Sequence, residues 1–219
     1  MNLEEYKQRT EAEKDWAPGW DAIDTEMERL YPGQQGRHYG TDMMARAIFG
    51  GDQYLDGYTV YEANDGHLHI VTYGLSELYT NEKAFGGEWS KWGYEMTFRL
   101  PMCQESEYMW VIDMLANMAR YTFKSKRFLE PLQIISGGGN PIKKDSNSLL
   151  TGMIVVNDPD LPGTDTIHGR LDFLQIVGII QSELDTITKD PAQAQKLVNM
   201  MKQNNPMLIT DLSRSKSYI

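Results

Sequence analysis

The chain has 219 residues, with 31 Asp and Glu against 21 Lys and Arg, for a formal net charge of −10. A hydrophobic share of 41% and an aromatic share of 11% exclude a disordered chain and suffice for one self-contained core. With a pI near 4.9, the chain lacks the clustered Lys and Arg that phosphate neutralisation requires, which argues against a nucleic-acid partner.

The acidity is uneven. Residues 1–30 hold nine acids and four bases, half of the net excess. This stretch reads as a solvated helical face, or alternatively as an acidic docking surface. The single cysteine, Cys103, excludes an intramolecular disulfide and a cysteine-cluster metal site, which fits a reducing compartment. The N-terminus has no apolar core of signal-peptide length, and no stretch approaches the roughly 20 apolar residues of a membrane span. The expectation is a cytoplasmic protein with no membrane contact.

In chain order, a charged helix runs to about Trp16. Trp20, Ile23, Met27 and Leu30 then form one apolar stripe of a second helix, opened by Pro18 and ended by Pro32. From Gly57 the period changes to that of strands. Tyr58, Val60 and Tyr61 precede Asn64-Asp65-Gly66, and His67 to Tyr73 follows, which predicts a hairpin. Tyr94, Met96, Phe98 and Leu100 alternate as a third strand stopped by Pro101.

A helix with Ser106 as N-cap follows, its core face made by Tyr108, Val111, Ile112, Leu115, Met118, Ala119 and Thr122. Leu132–Ile135 and Leu149–Val156 read as strands, and Phe173–Ile180 as a strand buried on both faces. Asp190-Pro191 predicts the start of a last helix carrying Ala194, Leu197, Val198 and Met201, and Leu208–Leu212 a last strand. The order implies one α+β domain with a mixed, largely antiparallel central sheet covered by helices. Residues 1–16 read as a charged helical extension and residues 17–219 as the domain proper.

No catalytic constellation emerges from the residues. His67 and His69 share a strand face beside Asp65 and could start a metal site, with Glu95 as a further carboxylate. A catalytic zinc site needs about three protein ligands, however, and structural histidines are the plainer reading. Ser136-Gly137-Gly138-Gly139-Asn140 lacks the Gly-Lys-Ser/Thr ending of a phosphate loop and reads as a connection between strands. Cys103 has no neighbour that would lower its thiol pKa. Asp158 and Asp160 flank Pro159 and read as a turn, and Ser76 lacks the nucleophile-elbow frame. Trp20, Tyr31, Trp92, Tyr94, Trp110 and Tyr121 are expected mainly in the core. No cofactor is expected.

Several segments in order resemble the suppressor-of-fused family: Ala17 to Ile23, Leu30-Tyr31-Pro32, His67 to Tyr79 with its His-x-His and Gly-Leu-Ser-Glu, and Gly93 to Leu100. Ala119-Arg120-Tyr121, Asp158-Pro159, Phe173 to Gly178 and Leu208 to Asp211 complete the series. Phe128 to Gly139 departs from the family pattern. The resemblance corresponds to the N-terminal domain of the animal proteins and to the stand-alone bacterial branch. It implies that domain's fold and a binding role without catalysis. Animal members clasp a segment of a transcription factor as an added β-strand, and Tyr121 and Asp158 match positions near that clasp. Bacterial relatives imply an immunity protein that neutralises a polymorphic toxin, with a basic toxin domain as partner. The alternatives are a regulator or scaffold binding an endogenous peptide, and a metal-dependent enzyme using His67 and His69.

Overall fold

The computed structural model describes residues 1–41 and 54–219. Helix α1 (Leu3–Ala12) opens with a reciprocal cap. Asn2 Oδ1 accepts the Glu5 N–H, and Glu5 accepts the Asn2 N–H. The helix stops at Ala12, short of the expected Trp16, whose ring instead lies 5.3 Å from Tyr6. Helix α2 (Pro18–Leu30) buries Ile23 and Met27 of the expected stripe and starts with proline in its first turn.

Strands β1 (Arg37–Gly40), β2 (Gly57–Glu62), β3 (His67–Tyr73) and β4 (Trp89–Pro101) form an antiparallel meander. The β2–β3 hairpin turns on Gly66 at φ +86°, a left-handed value that costs a glycine little. After β4 comes helix α3 (Glu105–Ser125), and its buried residues are the seven predicted for its core face. It begins two residues earlier than Ser106 implied: Glu107 accepts the Gln104 N–H at 3.0 Å, so Gln104 is the cap.

Strands β5 (Ile134–Ser136), β6 (Leu150–Asn157), β7 (Thr164–Thr166) and β8 (Gly169–Ile180) complete the sheet. Its order is β1-β2-β3-β4-β8-β6-β5, with β7 beside β8. Every described pairing is antiparallel except β4–β8, which is parallel. The fold is thus one mixed α/β domain, as the patterning implied.

Helices α4 (Gln181–Lys189) and α5 (Gln193–Asn204) follow β8. The sequence reading missed α4, because β8 passes into it without a loop: Glu183 accepts the Ile180 N–H and caps the helix. Helix α5 starts two residues after the expected Pro191, because Asp190 closes α4 and its carboxylate takes the Ala192 N–H.

No strand forms at 208–212. Both backbone groups of Ile209 are taken by the Asn205 amide, and Thr210 makes single bonds to Arg99 O and, through its hydroxyl, to the Gly178 N–H. The segment patches the gap where β4 and β8 part.

The alternation along β4 divides the interior. Tyr94, Met96, Phe98 and Leu100 face α3 together with Leu68, Ile70, Leu174 and Ile176. On the other face α2 covers Val71, Tyr73 and Phe173, while α4 and α5 cover Ile154, Val156, Val177 and Ile179. Glu95, Thr97 and Arg99 therefore point into that second face, and all three are buried.

Candidate functional site

Arg99 forms the centre of a polar network inside the second face. Nη2 donates to Asp158 Oδ1 at 2.9 Å and to Asp160 Oδ2 at 3.2 Å, and Nη1 donates to Gln175 Oε1 at 2.7 Å. Gln175 passes its own amide protons to the carbonyls of Met207 and Leu208. Asp158 Oδ2 also accepts from the Thr97 hydroxyl at 2.6 Å, and Oδ1 accepts the Asp160 and Leu161 N–H groups.

His69 completes the network. Its Nε2 lies 3.2 Å from Asp158 Oδ2 and its Nδ1 lies 2.8 Å from the Tyr31 hydroxyl. A neutral ring donating from Nε2 and accepting at Nδ1 satisfies both contacts. Burial lowers the His69 pKa, with Arg99 acting in the same direction against the pull of Asp158. For Asp158, burial opposes ionisation, but His69, Arg99 and Thr97 outweigh it and hold the carboxyl well below the usual carboxylate range.

This geometry accounts for His69, one of the two histidines that could have begun a metal site. Both His69 nitrogens are engaged, and His67 Nδ1 lies 2.6 Å from Asp65 Oδ1 without hydrogen-bond alignment. Among the described residues, no group of three His, Cys, Asp or Glu is placed to hold a metal ion.

A second buried carboxylate explains two of the segments that carried the resemblance. Glu95 Oε1 accepts the Gly74 N–H, the Ser76 N–H and the Ser76 hydroxyl, and Oε2 accepts the Thr72 hydroxyl. The Gly-Leu-Ser turn after β3 is therefore closed by the Glu of the Gly-Tyr-Glu stretch in β4. Burial raises the Glu95 pKa against these four donors.

The surface site lies on the opposite face of the sheet. Tyr121 is 47% exposed on the outer side of α3. With Trp110, Met114, Ile134, Ile135 and Lys144 it lines a groove of about 690 Å³ between α3 and β5. Strand β5 has β6 as its neighbour, and no other strand among the described residues pairs with its outer edge. Tyr121 and Asp158 are thus separated: Tyr121 borders this groove, and Asp158 is buried behind the sheet. Of the aromatic residues expected in the core, Tyr31 and Tyr94 are buried, Trp20, Trp92 and Trp110 are half-buried, and Tyr121 is exposed.

The sequence model of the suppressor of fused protein family matches residues 51–215. The suppressor of fused homologue of Homo sapiens is 30% identical over 215 residues, which cover 91% of this chain and 44% of that protein. The chain belongs to the suppressor of fused family. It spans less than half the length of the curated relatives it matches, the Mus musculus homologue included.

Among solved structures, this suppressor of fused domain is similar to a chain of the Sufu–Fu complex, with a TM-score of 0.78 and 26% identity, covering 92% of this chain and 93% of that one. Drosophila Suppressor of Fused is 25% identical with a TM-score of 0.77, covering 92% of this chain and 51% of that one. A homologue from Neisseria gonorrhoeae shares the fold at a TM-score of 0.60 and 12% identity, covering 91% and 96%. No helix among the described residues is long and apolar enough to cross a membrane.

Proposed function

We propose that the chain is a non-catalytic protein-binding domain that takes an extended segment of its partner as an added strand on β5, with side chains seated in the α3–β5 groove. The observation that carries this reading is the β5 edge, unpaired by any strand among the described residues, beside a groove of about 690 Å³. An open edge supplies backbone pairing and a neighbouring groove supplies side-chain discrimination. Tyr121 touches the partner. Asp158 acts as a positioning residue, holding the Asp160 and Leu161 N–H groups where the chain leaves β6. The Sufu–Fu complex supports the reading by analogy, since the chain matched there has nearly this extent.

The partner we infer is a basic toxin domain that this cytoplasmic chain neutralises by direct binding, as the bacterial branch of the family implies. The net charge of −10 supports it, because opposite charge raises the association rate. The test uses any toxin domain found encoded beside the gene for this chain. Binding should protect the amides of residues 134–136 from hydrogen exchange, and Tyr121→Ala should weaken affinity about tenfold. Association should slow as salt is added. Unprotected β5 amides together with full affinity in Tyr121→Ala would remove the edge-strand site, and failure to bind would remove the toxin.

A further inference from the structure

The parallel ladder at the centre of the sheet is broken. Trp89 pairs with Arg170 and Tyr94 with Asp172, so residues 90–93 of β4 stand opposite the single residue Leu171 of β8. Lys91 takes φ +58° and Gly93 takes φ +81°. The left-handed region costs a non-glycine residue about 1–2 kcal/mol. At Gly93 a Cβ would also come within 2.8 Å of the Trp89 ring, so glycine is needed twice over. Lys91 is held in place by its ammonium, which donates to the Gly74 carbonyl at 2.6 Å. Bulges that persist against such cost re-aim side chains, and they concentrate beside binding sites.

Here the bulge opens a cleft of about 450 Å³ that includes Tyr94 and Leu174 and is bordered by Trp89 and Phe128. These two rings are 51% and 55% exposed. The surroundings are basic in an acidic chain. Lys91 lines the cleft, the Lys126 ammonium lies 5.7 Å from the Trp92 ring centroid, Arg127 follows Lys126 directly and Lys124 stands two residues before it. They outnumber the neighbouring Glu88 and Glu130. Asp172, also on the lining, is paired with Arg170 at 2.8 Å.

We propose that this cleft is a docking site for an acidic segment of a protein partner, which inserts an aromatic or long aliphatic side chain between Trp89 and Phe128 and directs flanking carboxylates to Lys126 and Arg127. Charge complementarity selects this occupant. The overall negative charge opposes it little, because exposed charges farther away than about 8 Å are largely screened at physiological salt, whereas the basic collar acts at contact. Of the described lining residues, Leu129 alone is shared with the α3–β5 groove, so the two sites can be tested apart.

The experiment pans a displayed library of random peptides on the purified full chain. Enriched sequences should combine an aromatic or Leu residue with two or more acids. A synthetic peptide of the leading sequence should lose about tenfold in affinity with Trp89→Ala and again with the exposed pair Lys126→Glu and Arg127→Glu, and keep its affinity with Tyr121→Ala. Circular dichroism and the melting temperature of the charge-reversal variant should match those of the parent. Absence of enrichment, neutral or basic leading sequences, or indifference to the charge reversal overturns the proposal. So does a change of oligomeric state in Trp89→Ala with peptide binding intact, which would make a second copy of the chain the occupant.

Discussion

Arg99 Nη2 sits 2.9 Å from Asp158 Oδ1, and neither side chain is exposed at all. Two charges so deeply buried persist only because each is multiply bonded: the guanidinium reaches Asp158, Asp160 and Gln175, and the carboxylate receives Thr97, His69 and two backbone N–H groups. The pair joins β4 to the segment that leaves β6, across the width of β8.

Removing one partner strands the other. Arg99→Met should lower the unfolding free energy by about 3–5 kcal/mol, measured by urea denaturation. Arg99→Lys should recover little of this, because a single ammonium cannot reproduce the planar fork that spans Asp158 and Gln175. A loss below about 1 kcal/mol in Arg99→Met would show that the network contributes no stability.

Stability should fall on acidification in two windows. His69, His67 and His168 all have pKa values lowered by burial. The unfolded chain therefore takes up these protons first, and the contribution, complete above about pH 6.5, is lost as pH falls below it. Asp158 is held below its ordinary range, so its contribution is present above about pH 3.9 and is lost as pH drops further. Urea midpoints should decline from pH 8 to pH 5, and His69→Gln should flatten that slope. A midpoint that rises on acidification contradicts the assignment.

At Glu95 the acceptor matters more than the charge. Glu95→Ala leaves the Gly74 and Ser76 N–H groups without a partner in a buried turn, at about 1–3 kcal/mol for each unsatisfied group. Glu95→Gln keeps one oxygen for those donors and removes a carboxylate whose ionisation burial already disfavours. Thermal melts should therefore order wild type and Gln close together, with Ala well below. Equal melting of all three would show that the turn does not depend on this residue.

Helix α1 buries one side chain. Tyr6 is buried, its hydroxyl accepts the Asn81 N–H and lies 3.0 Å from His168 Nε2, and its ring contacts Trp16 and Phe85. Tyr6→Phe should cost about 1 kcal/mol through the unpaired Asn81 N–H. Tyr6→Ala should cost about 3–5 kcal/mol and release α1 to rapid hydrogen exchange while β3 and β8 stay protected. Protection of α1 retained in Tyr6→Ala would place its anchor elsewhere.

The sequence carried the elements whose signal is periodic and local. The α3 face, the hairpin around Gly66 and the alternation of Tyr94, Met96, Phe98 and Leu100 follow from side-chain geometry within a dozen residues. The same alternation implied the inward-pointing Glu95, Thr97 and Arg99, but their partners lie on β3, the end of β6 and β8, and that convergence is a property of topology. The β4–β8 pairing joins residues about 80 positions apart and leaves no local mark. Helix α4 was missed because the apolar run of β8 leads straight into it, and Leu208–Leu212 resembled a strand because its apolar residues fill a gap between two. Tyr121 came from resemblance alone, since nothing in the spacing of α3 distinguishes an exposed aromatic in a groove from a core one.

The parallel β4–β8 pair also sets an order of events during synthesis. The β1–β4 meander and α3 can form from contiguous chain, yet the inner edge of β4 has no partner until Gly169–Ile180 has emerged. That edge is the middle of the finished sheet, apolar on the side facing α3. A nascent chain paused before β8 therefore presents an uncovered strand edge of the kind that recruits other chains. Closure by a strand encoded so late makes folding slower than the helix content alone would suggest.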